Sequence, residues 1–383
     1  SSVGPRKDPS PSRVPCSMKR SDPERPGGNP DANRLGLDYR AEADRLGPPP
    51  VPIIDAHAHI QGVRAAAIWK EVAALYGVRE VWSMTALAQV EPIAEVLGDM
   101  VRFIAVPNWG AADRRHAWRE GFLEDMAAFH EKFGSRIVKF WAAPRLRELM
   151  DPVTDADVVN LDGAWRRRAA DLATELGMAI MVHVADPDTW FATKYANSDR
   201  FLTKAEHYEP LERMLSDYPV PWIAAHMGGW PENLPMLSRL LEQHDNLHLD
   251  ASATKWIVRE MSKHARQDVV EFMQRWEGRI LFGSDIVTTD DHLQSGEKPP
   301  SYAGHLAGSD DQAFDLYASR YWALRTLWET AYVGESPIAD PDLAMLDPSR
   351  FGPHDAPELS GKALPKDLLE IFYAGAAAGM GLW

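Results

Sequence analysis

The chain reads as an α/β protein: a (β/α)8 TIM barrel with an N-terminal arm and an insertion after the eighth strand. Three observations predict this fold. From Val51 onward, eight short apolar runs alternate with segments of helical period, the pattern of parallel strands joined by helices. Four of those runs lead into a histidine or aspartate, at the strand ends where such a barrel builds its active site. A length of 383 residues is long for an ordinary domain but normal for one elaborated barrel.

The expected strands are 51–58, 79–84, 101–106, 136–141, 178–183, 220–225, 246–251 and 279–284. Between them, Ala65–Leu75, Gly121–Lys132, Trp165–Leu176, Leu211–Ser216 and Asp268–Trp276 have helical period. Residues 1–50 are rich in Pro, Gly, Ser, Arg and Asp and lack apolar periodicity, so a flexible arm is expected; the alternative is an ordered arm that wraps a neighbouring subunit. Pro48-Pro49-Pro50 stiffens the entry to the barrel, which occupies 51–383. Residues 287–361 are too long for a simple loop and are expected as an insertion near the barrel mouth. Their helix around Ala313–Trp328 carries Phe314, Leu316, Tyr317, Tyr321, Trp322, Leu324, Leu327 and Trp328. At about 25 cal/mol per Å² of apolar surface, hiding these side chains is strongly favoured. The expectation is that they are hidden against this barrel or against a second subunit, covering the mouth in either case, and a homo-oligomer such as a dimer is expected. Leu364–Tyr373 is expected to form a C-terminal helix.

Composition narrows the function. Forty-one Lys and Arg against 56 Asp and Glu give a net charge of −15, which argues against nucleic-acid or anionic-membrane partners. No apolar stretch reaches the roughly 20 residues that span a bilayer. Cys16 is the only cysteine, so neither an internal disulfide nor a thiolate metal cluster can form. A small-molecule substrate and a cytoplasmic location are expected, although a start at Ser1 is also compatible with a removed signal peptide.

The chemistry concentrates in Ile53-Ile54-Asp55-Ala56-His57-Ala58-His59. Side chains two apart on a strand point to the same side, so His57 and His59 aim their imidazoles at one point, as a divalent metal requires. Met181-Val182-His183, Ala225-His226-Met227-Gly228-Gly229 and Phe282-Gly283-Ser284-Asp285 are three further apolar runs leading into ligand-type or acid/base-type side chains. In this order, the four segments resemble the amidohydrolase superfamily, specifically its amidohydrolase-related branch of metal-dependent hydrolases and decarboxylases. The resemblance runs from about Val51 to about Leu382. It departs from the family after the C-terminal helix, where Gly375-Ala376-Ala377 stands in place of a usual Asn.

The resemblance implies one divalent metal, Zn²⁺ first and Mn²⁺ or Co²⁺ as alternatives, held by His57, His59, His183 and Asp285. Asp285 binds the metal or takes a proton from the attacking water. His226 acts as acid/base or contacts substrate, a fourth imidazole ligand being the alternative. Asp55 either orients an imidazole or is a buried structural carboxylate. Strand alternation turns Lys139 inward, as a cation for Asp285 or a substrate carboxylate, or as a carboxylated bridge between two metals. Trp109, Trp141, Trp190 and Trp230 fall at or past strand ends, as a flat aromatic pocket or as packing for the outer loops. Arg64, Arg145 and Lys194 are candidate anchors for an anionic substrate. The reaction expected first is hydrolysis of a small amide, lactone or ester. The alternatives are non-oxidative decarboxylation of a small aromatic or unsaturated acid, and a non-catalytic metal-binding barrel.

Overall fold

A computed structural model describes residues 28–297 and 303–383. The first 27 residues of the arm, including Cys16, lie outside the described residues, as does part of the polar stretch 294–311. The eight expected strands form in place: β1 Ile53–His59, β2 Val78–Ser83, β3 Val101–Phe103, β4 Ile137–Trp141, β5 Ala179–His183, β6 Trp222–Ala224, β7 Leu247–Asp250 and β8 Ile280–Leu281. A short β9, Ile286–Val287, continues beyond β8 and pairs with the end of β1. Every pair from β1 to β3 and from β4 to β8 is parallel. Backbone hydrogen bonds join the two arcs at both seams. The Ala105 and Lys139 N–H groups donate across β3/β4 (2.9 and 2.8 Å), and the Ala56 N–H donates to the Phe282 carbonyl (2.9 Å). Ile53, Ile54, Ala56, Val138, Phe140, Ile180 and Val182 are buried, as strands covered on both faces must be.

The helices that matter below are α1 Tyr39–Leu46, α2 Val63–Leu75, α3 Val90–Leu97, α4 Glu120–Phe133, α5 Ala164–Glu175, α6 Tyr208–Asp217, α7 Leu234–Gln243, α8 Thr254–Lys263, α9 Arg266–Arg275 and α10 Asp310–Glu329. Residues 28–50 are held on this chain's own barrel. Asp38 caps α1 by accepting from the Arg40 and Ala41 N–H groups. Tyr39 is buried and donates to the Ala32 carbonyl at 2.6 Å, and the Asn33 side chain donates to Asp315 of α10 at 3.1 Å.

The helix of the insertion is a wall, not the expected cover. Capped by Ser309, α10 starts near the mouth, where Arg64 meets Asp310 at 3.5 Å, and ends at the base. There the Arg325 guanidinium donates to the carbonyls of Gly47 and Tyr76, which precede β1 and β2. It thus runs antiparallel to the strands between α1, α2 and the barrel, as an outer-layer helix does. Its apolar residues surround the helix instead of forming one stripe. Leu316, Tyr317, Tyr321, Trp322, Leu324, Leu327 and Trp328 are all buried within this chain. The expectation of a second subunit, as far as it rested on this surface, loses its basis.

The chain then makes an antiparallel hairpin, β10 Val333–Glu335 with β11 Glu358–Ser360. Between these strands, residues 336–346 return to the mouth and bring Asp342 to the site. The C-terminal segment forms a helix, Lys366–Glu370, that continues as a π-turn over Ile371–Gly375. The Phe372 carbonyl of that turn accepts from the Phe282 N–H at 3.2 Å, tying the tail to the end of β8.

Candidate active site

Asp55, His57 and His59 project to one side of β1, at increasing height. Asp55, the deepest, is a structural carboxylate. Oδ1 accepts from the His57 and Ser284 N–H groups, and Oδ2 accepts from Ser284 Oγ (2.6 Å) and Tyr321 OH (2.7 Å). It ties β1 to the end of β8 and to α10, and it orients no imidazole. Burial pushes its pKa up to about 6, against the pull of the Ser284 and Tyr321 hydrogen bonds.

Above it, three ligand-type atoms converge. His57 Nε2 and His59 Nε2 lie 3.4 and 3.3 Å from Asp285 Oδ1. His57 Nε2 is buried and has no hydrogen-bond partner. Zinc–ligand bonds of about 2.0–2.1 Å in a tetrahedron put donor atoms about 3.3–3.4 Å apart. The spacing and the bare imidazole nitrogen therefore fit a divalent cation, and the set His57, His59 and Asp285 converges as a metal site would. Burial raises the pKa of Asp285, but the facing imidazoles of His57 and His59 outweigh it and hold the carboxyl well below its usual range. The backbone here is exceptional: Asp285 is left-handed (φ 58°). Gly283 permits the approach, since a Cβ there would come within 2.9 Å of both His57 Cβ and Ser252 Cβ.

His226 follows β6 in an unusual turn. His226, Met227, Gly228 and Gly229 all have positive φ (60°, 51°, 63° and 76°), one turn of left-handed backbone. The two glycines adopt it freely, whereas each non-glycine residue costs of order 1–3 kcal/mol. Gly229 is also required by space, because a Cβ there would sit 2.2 Å from the Ala185 carbonyl oxygen. The turn swings the imidazole to 4.9 Å from the His57 ring and 4.6 Å from the His183 ring, centroid to centroid. Burial, reinforced by His183, holds the His226 pKa well below its ordinary value.

His183 ends β5 as expected and faces the same pocket. Its Nε2 is bonded to Asp186 at 2.7 Å, and Asp186 in turn accepts from Tyr195 OH at 2.7 Å. In this arrangement it stands beside His226, outside the cluster of His57, His59 and Asp285. Lys139, on β4, is 3% exposed, and its Nζ has no hydrogen-bond partner. Burial brings its pKa down to about 8, despite the charges of Asp250 and Asp285.

The four expected tryptophans do not share one pocket. Trp109 packs edge-on against Trp118 and Trp141 (5.3 and 6.0 Å), in a cluster with Leu146, Met150 and Val158. Trp230 stacks on Tyr208 at 5.4 Å. Only Trp190 reaches the histidines' surroundings, through Trp256. Trp256 lies 6.1 Å from Trp190, 5.7 Å from His226 and 6.3 Å from His183. Both indoles donate to Asp342 Oδ2 (2.9 and 3.0 Å). Arg64 and Arg145 are exposed and pair with Asp310 and Glu148, and Lys194 lies over Trp190 at 4.2 Å.

Sequence reasoning missed Asp250, Ser252 and Trp256. Asp250 ends β7 fully buried and bonds His57 Nδ1 at 2.8 Å. Leu247-His248-Leu249-Asp250 carried the same signal as the other segments, an apolar run closing on a ligand-type residue. Ser252 and Trp256 carried no signal: Ser252 lies in the turn after β7 and Trp256 in the first turn of α8.

A parallel barrel with imidazoles and a carboxylate converging at its strand ends defines a class of metal-dependent barrel enzymes. The chain belongs to the amidohydrolase family, whose model matches residues 54–341. That family is metal-dependent and acts on small molecules. No curated protein matches the chain. Solved structures with a similar fold include a 5-carboxyvanillate decarboxylase from Novosphingobium aromaticivorans, complexed with manganese and 4-hydroxy-3-methoxy-5-nitrobenzoic acid (11% identity, TM-score 0.37, 72% of this chain and 90% of that one). A dihydropyrimidinase from Brevibacillus agri is 10% identical (TM-score 0.38, 82% of this chain and 83% of that one). A protein of Agrobacterium tumefaciens is 12% identical (TM-score 0.37, 72% and 93%). Among the described residues, no helix is long and apolar enough to cross a membrane.

Proposed function

We propose that this protein is a metal-dependent hydrolase that attacks a small amide, lactone or ester with activated water. The convergence of His57 Nε2, His59 Nε2 and Asp285 Oδ1 beside His226 carries this reading. These three side chains would hold one divalent ion, Zn²⁺ first, with His183 as a further ligand if its ring turns from Asp186. When bound, such an ion supplies Lewis acidity and hydroxide at neutral pH. Asp285 takes the proton of the attacking water and returns it to the leaving group. His226 would take up a proton at Nε2, next to the reacting carbonyl, and release it again. Protein purified without chelator is expected to contain about one equivalent of metal. Elemental analysis giving less than about a tenth, with no uptake of added Zn²⁺ or Mn²⁺, would count against the site. Two equivalents would point to Lys139 as a carboxylated bridge.

A second reading, decarboxylation of a small planar acid, is favoured by Lys139. A buried ammonium with no partner is costly, and a substrate carboxylate would offset that cost. Trp256, with Trp190 edge-on to it, adds an aromatic wall beside His183 and His226. One screen separates the readings: metal-loaded protein is offered lactones, amides, esters and hydroxybenzoate-type acids, with CO₂ release monitored. Turnover of the first three without CO₂ supports hydrolysis. CO₂ from an acid supports decarboxylation. Inactivity of metal-loaded protein on every class would favour a non-catalytic barrel.

A further inference from the structure

We propose that Asp250 and Ser252 form one hydrogen-bonded chain that fixes the tautomers of His57 and His226 together, leaving both rings with an unprotonated Nε2. The proposal builds on the roles given above to those two histidines, but it concerns where their protons sit before any substrate binds. Asp250 is fully buried at the end of β7 and receives donors on both oxygens. Oδ1 accepts from the His226 N–H (2.9 Å), the Ser252 N–H (3.1 Å) and the Ser252 hydroxyl. Oδ2 lies 2.8 Å from His57 Nδ1.

The directions follow from donor counting. A carboxylate only accepts, so His57 Nδ1 must carry a proton, and the His57 lone pair is on Nε2, the bare atom facing Asp285. A serine hydroxyl has one proton. Its hydrogen bond with Asp250 Oδ1 uses that proton, since a carboxylate oxygen can only accept. Ser252 Oγ must then accept from the ring nitrogen 2.8 Å away, His226 Nδ1. His226 therefore also carries its proton on Nδ1 and its lone pair on Nε2. The 3.2 Å contact between Ser252 Oγ and His57 Nδ1 agrees, because that nitrogen is a donor in either case. The same carboxylate also anchors the backbone N–H of left-handed His226 and so stabilises the turn that delivers the ring. Asp250 and Ser252 are positioning residues: neither touches the reacting atoms.

The two links give distinguishable outcomes. In Asp250→Asn, the amide oxygen must face the three donors around Oδ1, which leaves the NH₂ facing His57 Nδ1. His57 is then forced to its Nε2–H tautomer, and Zn²⁺ affinity should fall about 10–100-fold. In Ser252→Ala, the His57–Asp250 bond survives, so Zn²⁺ affinity should stay within a few-fold while His226 loses its fixed tautomer. Ser252→Thr should restore it. The direct readout is the imidazole ¹⁵N spectrum of histidine-labelled, metal-free full chain, with the two rings assigned through His57→Gln and His226→Gln. Wild type should show Nδ1–H for both. His226 should drift to a mixture in Ser252→Ala and return in Ser252→Thr. An Nε2–H tautomer for either ring in wild type, an unchanged His226 signal in folded Ser252→Ala, or undiminished Zn²⁺ affinity in Asp250→Asn would overturn the proposal. If Asp250→Asn does not fold, the wild-type spectrum and the serine pair still decide it. Because no substrate is involved, failure here is separable from failure of the proposed reaction.

Discussion

Asp285→Asn is expected to lower kcat by about 10³-fold or more, with most of the bound metal lost. Its Oδ1 lies within 3.4 Å of both His57 Nε2 and His59 Nε2, so in the proposed function one substitution would remove an anionic ligand and the proton acceptor together. General acid/base groups alone contribute about 10²–10⁴-fold. The backbone should tolerate the change. Position 285 has φ 58°, and asparagine enters the left-handed region at least as readily as aspartate. Loss of activity with an unchanged melting transition of the metal-free protein would therefore report chemistry rather than unfolding. His226→Ala supplies the contrast: most metal retained, and kcat lower by about 100-fold. Asp285→Asn with a full equivalent of metal and activity within tenfold of wild type would remove Asp285 from both roles. His226→Ala that lost its metal would make His226 a ligand.

The largest stability effect is expected at Arg259 of α8. Its guanidinium is fully buried and pairs with Glu260 at 2.6 Å, with Asp340, and with Asp342 at 3.2 Å. These contacts pin residues 340–342, the part of the insertion that reaches the mouth. Arg259→Ala leaves Asp340 and Glu260 buried without their guanidinium partner, which should cost about 3–5 kcal/mol. The exposed pair Arg275–Glu242, at 3.2 Å, is the control, and Arg275→Ala should cost about 1 kcal/mol or less. Denaturant midpoints with unchanged slope measure both. Equal midpoints for the two variants would mean that the buried network contributes no more than a surface pair. Arg259→Ala should also release the Trp190 and Trp256 indoles, which share Asp342 Oδ2 with the guanidinium. A shift in tryptophan fluorescence in still-folded protein would register this.

The sequence by itself determined the strands and the faces of β1. A run such as Ile137-Val138-Lys139-Phe140-Trp141 reads as a strand buried on both faces, as in a parallel sheet covered by helices, and the period of two puts His57 and His59 on one side of β1 wherever β1 lies. The glycines of His226-Met227-Gly228-Gly229 and Gly283-Ser284-Asp285 were visible, but not the need for them, because the atoms that leave no room for a Cβ belong to Ala185, His57 and Ser252 on other strands and loops. The course of α10 was decided by tertiary structure alone. Apolar residues around the whole helix say that it is buried, whereas the partners that bury it, α1, α2 and Asp55, come from other parts of the chain. The carboxylate assignments depended on tertiary contacts for the same reason. Asp55 and Asp250 are both buried acids near His57. Only three-dimensional contact gives Asp55 to Ser284 and Tyr321 and gives Asp250 to the imidazole, since a hydrogen bond across 193 residues of chain leaves no trace in local sequence.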